Sequence, residues 1–345
     1  VVSPAEPLRI PVLDLTRFPG SNRQAEALRL ASDEAVRPFD LDSGPLFRAT
    51  LLKLDAEEHL LLITVHHIVS DGWSTRVLYR ELEMIYAALA SGRPSPMAEL
   101  PIHYGDFAVW QRQWLQGETL TSQTAYWKRR LEGMPPLLEV PTDRPRPAIR
   151  RHQGASYSME IPHRLTEELK AVGQRENATP YMTLLAAFQT LLHRYTGEPD
   201  LVVGTPIANR TRPETVNMIG LFANTLVMRT DLSGDPSFRG ALGRVRINAL
   251  GAYAHQDLPF ERLVEELHPE RDHRHNPLFP VMVAYQNLPG TVSAEPGAGL
   301  TISPVEVTRG TAKFDLTLYV FESGQGLSTT WQYDTDLFEA PSIAR

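Results

Sequence analysis

The run HLLLITVHHI (59–68) is almost continuously apolar and short, the pattern of a strand buried on both faces. It stops at Asp71-Gly72, a dipeptide that favours turns. In STRVLYRELEMIYAAL (74–89), Val77, Leu78, Leu82, Ile85 and Leu89 then recur at helical spacing. The order is strand, tight loop, helix. Two more helices are predicted over YGDFAVWQRQWL (104–115), where Tyr104, Trp110 and Trp114 share one core-facing side, and over TAYWKRRLEG (124–133). Further on, 165–176 and 181–195 read as helices, and 201–207 and 225–232 as strands. The segment 237–256 reads as a helix weakened by its glycines. A strand is expected over 278–287, and 314–321 and 327–334 flank ESGQG as a hairpin.

Between these two sets lies PTDRPRPAIRRHQG (141–154). Proline suits neither a helix interior nor a central strand, so the segment reads as an extended connector. It divides the chain into an N-terminal part, 1–150, and a C-terminal part, 151–345. Helices and strands alternate in both, which places the fold in the α/β or α+β class. A chain of 345 residues also exceeds the size at which one core usually serves.

Composition narrows the function. Hydrophobic residues make up 42% and charged residues 22%, as in an ordinary globular protein. No stretch has the apolar length of a membrane span, and the first residues carry no secretory signal. The chain lacks an initiator Met and is expected to be a segment of something longer. Cysteine is absent, which removes disulfides, thiolate zinc sites and a cysteine nucleophile, and suits a cytoplasmic location. A net charge of −7 argues against a nucleic-acid partner.

The chemistry concentrates in HHIVSDGWS (66–74). Side chains of a strand alternate between faces, so His67 would lie with Leu61, Ile63 and Val65, and His66 with Leu62 and Thr64. The two imidazoles could not then grip one metal ion. One would be buried and bonded locally, and the other would reach a cavity. Gly72 would permit an unusual backbone at the turn, and its N–H beside a helix start could receive an oxyanion. A satisfied histidine pair followed by an Asp-Gly turn is the alternative that spacing alone leaves open. The chain has no Gly-x-Ser-x-Gly elbow, His-Glu-x-x-His motif or Walker loop.

HHIVSDG resembles the HHxxxDG signature of the condensation domains of nonribosomal peptide synthetases. The shorter HxxxD pattern is shared with chloramphenicol acetyltransferase and related acyltransferases. Other segments follow in the family's order: YGDFAVWQ (104–111), GTPIANR (204–210), IGLFANTLVMR (219–229), HQDLPFERLVEEL (255–267) and RDHRHNPLFPVM (271–282). The combination is similar to the subtype that joins an L-configured donor to an L-configured acceptor. Ala223 and Arg274 stand where the family usually has Val and Ser. The resemblance also implies that the N-terminal part of the first lobe and most of the last helix lie outside this chain.

What the resemblance implies is two chloramphenicol acetyltransferase-like lobes in a V, with the active site at their junction. The activity would be amide-bond formation from two thioester-bound substrates. These would arrive on the 4'-phosphopantetheine arms of upstream and downstream peptidyl carrier proteins, beside an adenylation domain, with no cofactor bound by the domain itself. His67 would be the active-site imidazole, as general base or as positioner of the amine, with Gly72 beside it. Asp71 would pair with Arg210 across the lobes, and His66 would be structural. Trp73, Ser74, Asn224 and Gln256 could line the substrate channel. The arginines at 144, 146, 150 and 151 could meet a carrier or simply be solvated. A non-catalytic docking domain of the same fold and a free-standing coenzyme A-dependent acyltransferase are the rival readings.

Overall fold

The apolar run beginning at His59 pairs with a second strand as far as Val65, and a helix follows from Gly72 after a short turn. The computed structural model describes residues 8–135, 137–268, 276–286, 300–305, 307, 310–323 and 326–345. The chain divides into two compact units whose segments are not consecutive. The first holds residues 1–110, 210–222 and 290–309; the second holds 111–209, 223–289 and 310–345. Position 150 therefore falls inside the second unit.

In the first unit β1 (Val12–Asp14) is followed by α1 (Gly20–Val36), β2 (Phe47–Lys53), β3 (His59–Val65), α2 (Gly72–Ala90) and the start of α3 (Tyr104–Trp114). The sheet order is β1-β2-β3, with β1 parallel and β3 antiparallel to β2. Two small cores hold this unit. Leu15, Ala27 and Leu52 form one beneath the sheet. Phe107, Met218 and Phe222 form the other, with Tyr104 and Trp110 packed against it; Trp114, expected on the same side, is not part of this cluster.

The second unit opens with α4 (Gly117–Leu131), which starts seven residues ahead of the apolar pattern at 124, and an irregular connector follows. Then come β4 (Gly154–Pro162), α5 (His163–Arg175), α6 (Pro180–Thr196), β5 (Asp200–Ile207), β6 (Asn224–Asp231), α7 (Phe238–Ala254), α8 (Phe260–Leu267), β7 (Val281–Gln286), β8 (Leu316–Ser323), β9 (Gly326–Asp334) and α9 (Ala340–Ala344). Six strands make one sheet in the order β4-β9-β8-β7-β5-β6. Only β5–β7 and β7–β8 are parallel. β5 is buried through its middle, which explains its unbroken apolar sequence. Gly204 lies in that strand because the Phe279 ring occupies the place a Cβ would take. β8 and β9 pair antiparallel as the hairpin pattern requires, while the ESGQG residues Gly324 and Gln325 lie outside the described residues.

The connector arginines are held more firmly than expected. Arg146 pairs with Asp315, and Arg151 with Asp336. The side chain of Arg150 is 4% exposed and lies 3.6 Å from Asp315 and 3.5 Å from Asp334. Neither a carrier nor solvent has the use of Arg150. It ties the connector to residues bordering β8 and β9, because three carboxylates there require counter-charge. Arg144, paired with Glu339, remains at the surface.

Candidate active site

The strand carrying the histidines ends one residue before them. β3 stops at Val65, and His67–Val69 form a single 3₁₀ turn capped by His66. The alternation of faces therefore does not extend to the pair. His66 is half-buried rather than buried. Its Nδ1 accepts the N–H of Ile68 at 3.1 Å, and its ring stands edge-on to Phe39. His67 is exposed, with Nδ1 2.6 Å from the carbonyl oxygen of Ser70. A carbonyl can only accept, so Nδ1 carries a proton, and in the neutral ring the acceptor lone pair lies on Nε2. The turn thus fixes the tautomer of His67 and leaves an acceptor nitrogen on an exposed residue.

Asp71 caps α2. Its Oδ1 accepts the N–H of Ser74 at 2.7 Å, and satisfying a first-turn donor in this way is the usual task of an N-cap aspartate. The same carboxylate accepts the Ser74 hydroxyl at 2.8 Å, Arg210 Nη2 at 3.1 Å and the N–H of Phe222 at 2.9 Å. Asp71 and Arg210 side chains are each 2% exposed. Burial pushes the Asp71 carboxyl up, but the N–H groups of Ser74 and Phe222, the Ser74 hydroxyl and Arg210 together hold it below the ordinary carboxylate range. Arg210 also donates to the carbonyls of Thr215 and Met218 and lies over the Phe222 ring at 4.1 Å. The ion pair expected between Asp71 and Arg210 is present, and both residues belong to the first unit.

Ser74 is completely buried and does not face a channel. Its single hydroxyl proton is shared between Asp71 and the Gly220 carbonyl oxygen, 2.7 Å away, and its oxygen receives the Gly220 N–H at 3.1 Å and Arg210 at 2.7 Å. Trp73 donates its indole N–H to the Val216 carbonyl at 2.8 Å. These contacts fasten residues 216–222 onto the first turn of α2. Gly72 opens that helix with no positive φ, and a Cβ would meet open space there. Its conformation is therefore ordinary, contrary to the expectation of a strained turn, and its use is limited to the N–H at the helix start.

Asn224 and Gln256 belong to the second unit. The Asn224 amide donates to the carbonyls of Gln256 and Leu258, both at 2.8 Å, and accepts the N–H groups of Thr225 and Phe260. With four bonds made, it clamps the HQDLPFE loop and has no capacity left for a substrate. In the same loop His255 stacks on Tyr126 at 3.8 Å. The sequence reading missed Gly220 and Phe222, whose backbones close the Asp71 network. A glycine inside the apolar stretch IGLF was the available signal, since it marks close approach of another chain segment. A Cβ at Gly220 would fall on the Tyr104 ring.

Among the described residues no cluster of His, Asp or Glu is placed to hold a metal ion, and no helix is long and apolar enough to cross a membrane.

A family model described as "Condensation domain" matches residues 1–345. The chain belongs to the condensation-domain family. It is 49% identical over its whole length to one of the linear gramicidin synthase proteins of Brevibacillus parabrevis, of which it spans 4%. It is 43% identical over 96% of its length to phosphinothricin tripeptide synthetase PhsB of Streptomyces viridochromogenes, of which it spans 28%. The chain thus covers a small part of the curated relatives it matches. Among solved structures, the X-domain from teicoplanin biosynthesis superposes with a TM-score of 0.89 at 28% identity, covering 100% of this chain and 77% of that one. The mixed helix-and-sheet fold is that of the family.

Proposed function

We propose that this condensation domain forms a peptide bond between two carrier-bound substrates in a cytoplasmic nonribosomal peptide synthetase, taking an L-configured donor and an L-configured acceptor. The amine on the downstream carrier attacks the thioester carbonyl of the acyl or peptidyl group on the upstream carrier. A C–N bond forms, the C–S bond breaks, and the amine proton ends on the released phosphopantetheine thiol. The carrying observation is His67: exposed, in an intact HHIVSDG, with Nδ1 tied to Ser70 and Nε2 left to accept from the attacking amine. Such a group contributes about 100- to 10,000-fold, and alignment of two tethered reactants adds to it. In this reading Gly72 offers its N–H toward the developing oxyanion, and Asp71 and Arg210 hold the corner rigid. An adenylation domain in the same polypeptide would load the acceptor.

A docking role is the second reading, favoured by the superposition on an X-domain that has also been solved in complex with OxyB. The two are separated by loading the upstream carrier with an acyl thioester and the downstream carrier with an aminoacyl thioester, then following the downstream carrier by intact-protein mass spectrometry with the whole chain present. Transfer of the acyl group to the downstream carrier is expected. A folded chain that binds both carriers and transfers nothing would overturn the catalytic reading.

A further inference from the structure

Two motifs of the sequence, HQDLPFE and NPLFPVM, belong to the second unit. There they converge. Phe260 from the first, Asn276 and Pro277 from the second, His152 from the connector, and Lys313 with Phe314 ahead of β8 wall one cavity of about 340 Å³. That volume is at the lower end of the range for small-molecule sites.

The walls are set in advance. Phe260 is fixed by the Asn224 side chain through its N–H. Asn276 accepts from Arg150 at 3.0 Å and donates to the Lys313 carbonyl at 2.8 Å. Phe279 backs the cavity, stacked on Phe314 at 5.7 Å and close to Phe260 at 5.6 Å. Two residues beside it hold costly backbones. His152 has φ 54°, its carbonyl accepting the N–H of Ala312. Leu278 has φ 70° between Pro277 and Phe279, whose N–H bonds back to the Pro277 carbonyl, a tight turn that is rare and strained. Leu278 is buried in the core of this unit, and that packing holds the turn in place behind Pro277; strain of this kind also gathers where a ligand is clamped.

The chemistry of the walls is two-sided: half-buried aromatic surface from Phe260 and Phe314, and exposed Pro277, Lys313 and His152, the last two with no carboxylate partner among the described residues. We infer that this cavity, built wholly from the second unit, is a further binding site for a small aromatic carboxylate of one or two fused rings. The ring would lie between Phe260, Phe314 and Pro277, and the carboxylate would meet Lys313 at the rim.

The test is direct binding to the full 345-residue chain, independent of any condensation activity. Isothermal titration and saturation-transfer NMR with 2-naphthoate should show one saturable site in the millimolar range or tighter. Lys313→Gln, an exposed change, should weaken 2-naphthoate about two- to fivefold while leaving neutral 2-naphthamide unaffected, the discrimination an exposed charge contact supplies. Phe314→Ala should weaken both ligands; Phe314→Leu, which keeps bulk, serves if the alanine variant melts early. His67→Ala should change neither. Non-saturable binding, equal affinity of Lys313→Gln for the carboxylate, or loss of binding in His67→Ala would each overturn the site.

Discussion

The Asp71 carboxylate accepts the N–H of Phe222 at 2.9 Å, across 151 positions of the chain. That bond, with Arg210 and the Ser74 hydroxyl, locks the corner on which the two histidines sit. Residues that hold the corner and residues exposed on it should respond differently to substitution.

His67 is exposed, and its ring bonds to the Ser70 carbonyl within its own turn. Changing His67 to Ala should leave the melting temperature within about 2 °C of wild type, since an exposed substitution is usually within ±0.5 kcal/mol. Dipeptidyl formation should fall about 100- to 10,000-fold. His66→Ala removes the cap of the 3₁₀ turn and the Phe39 contact, and should lower stability while retaining more activity. Thermal melts run beside the mass-spectrometric assay check both. The reverse pattern would exchange the roles of the two imidazoles.

Asp71 predicts an acid sensitivity of definite sign. Its folded carboxyl is held below the usual range, so its contribution is complete above the unfolded value of about 3.9 and drains away as pH falls through the folded value. Asp71→Asn leaves Arg210 buried without its counter-charge and should cost about 3–5 kcal/mol near neutrality. The gap between wild type and variant should narrow below about pH 4. Urea titrations at several pH values measure it. A gap that widens in acid would remove the ion pair from the account.

Much of this architecture is legible in the sequence, and its limits are physical. β5 and α6 are buried on most sides, so their apolar runs are dense and their ends fall within a residue or two of the pattern. β1 has three residues, α1 is largely polar, and β4 is an edge strand with mostly exposed side chains; none shows a periodicity above its surroundings. The facing of His66 and His67 failed because alternation holds only while a strand lasts, and β3 ends at Val65. The Asp71–Arg210 pair spans 139 positions and came from family likeness, not from any local pattern. Ser74 and Asn224 looked like channel residues because they are polar within motifs. Buried polar groups near glycine and turn signals more often serve the backbone, and both do.

Arg150 tests whether the connector is fastened or merely covered. Its side chain is buried beside Asp315 and Asp334, and burial already holds the Asp334 carboxyl above the ordinary range. Arg150→Met should destabilise the chain by about 3–5 kcal/mol at about pH 7.5. A carboxyl whose folded value is raised weakens the fold as pH rises through that value, so the variant should recover part of the loss at about pH 5.5. Arg144→Met, at an exposed pair with Glu339, should cost no more than about 1 kcal/mol. Equal costs for the two would mean that burial of Arg150 adds nothing.

Gly220 and Tyr104 offer a test of the corner that touches none of its charged groups. The Gly220 N–H and carbonyl both meet the Ser74 hydroxyl, while the Tyr104 hydroxyl bonds the neighbouring Leu221 carbonyl at 2.7 Å. A methyl at 220 has nowhere to go but into the Tyr104 ring. Gly220→Ala should therefore push residues 220–222 away from α2, lengthen the Phe222–Asp71 bond and cost about 1–3 kcal/mol, as overpacking does. Tyr104→Ala alone should also destabilise, by removing a half-buried ring that packs on Phe107 and Phe222. In the double variant the clash is gone, so its cost should fall short of the sum of the two single costs by at least about 0.5 kcal/mol. Condensation should follow the same order, with Gly220→Ala losing more activity than its melting temperature suggests and Tyr104→Ala restoring part of it. Strict additivity in both stability and activity would show that the ring does not set the position of Gly220, and the link from Tyr104 to the histidine corner would be lost.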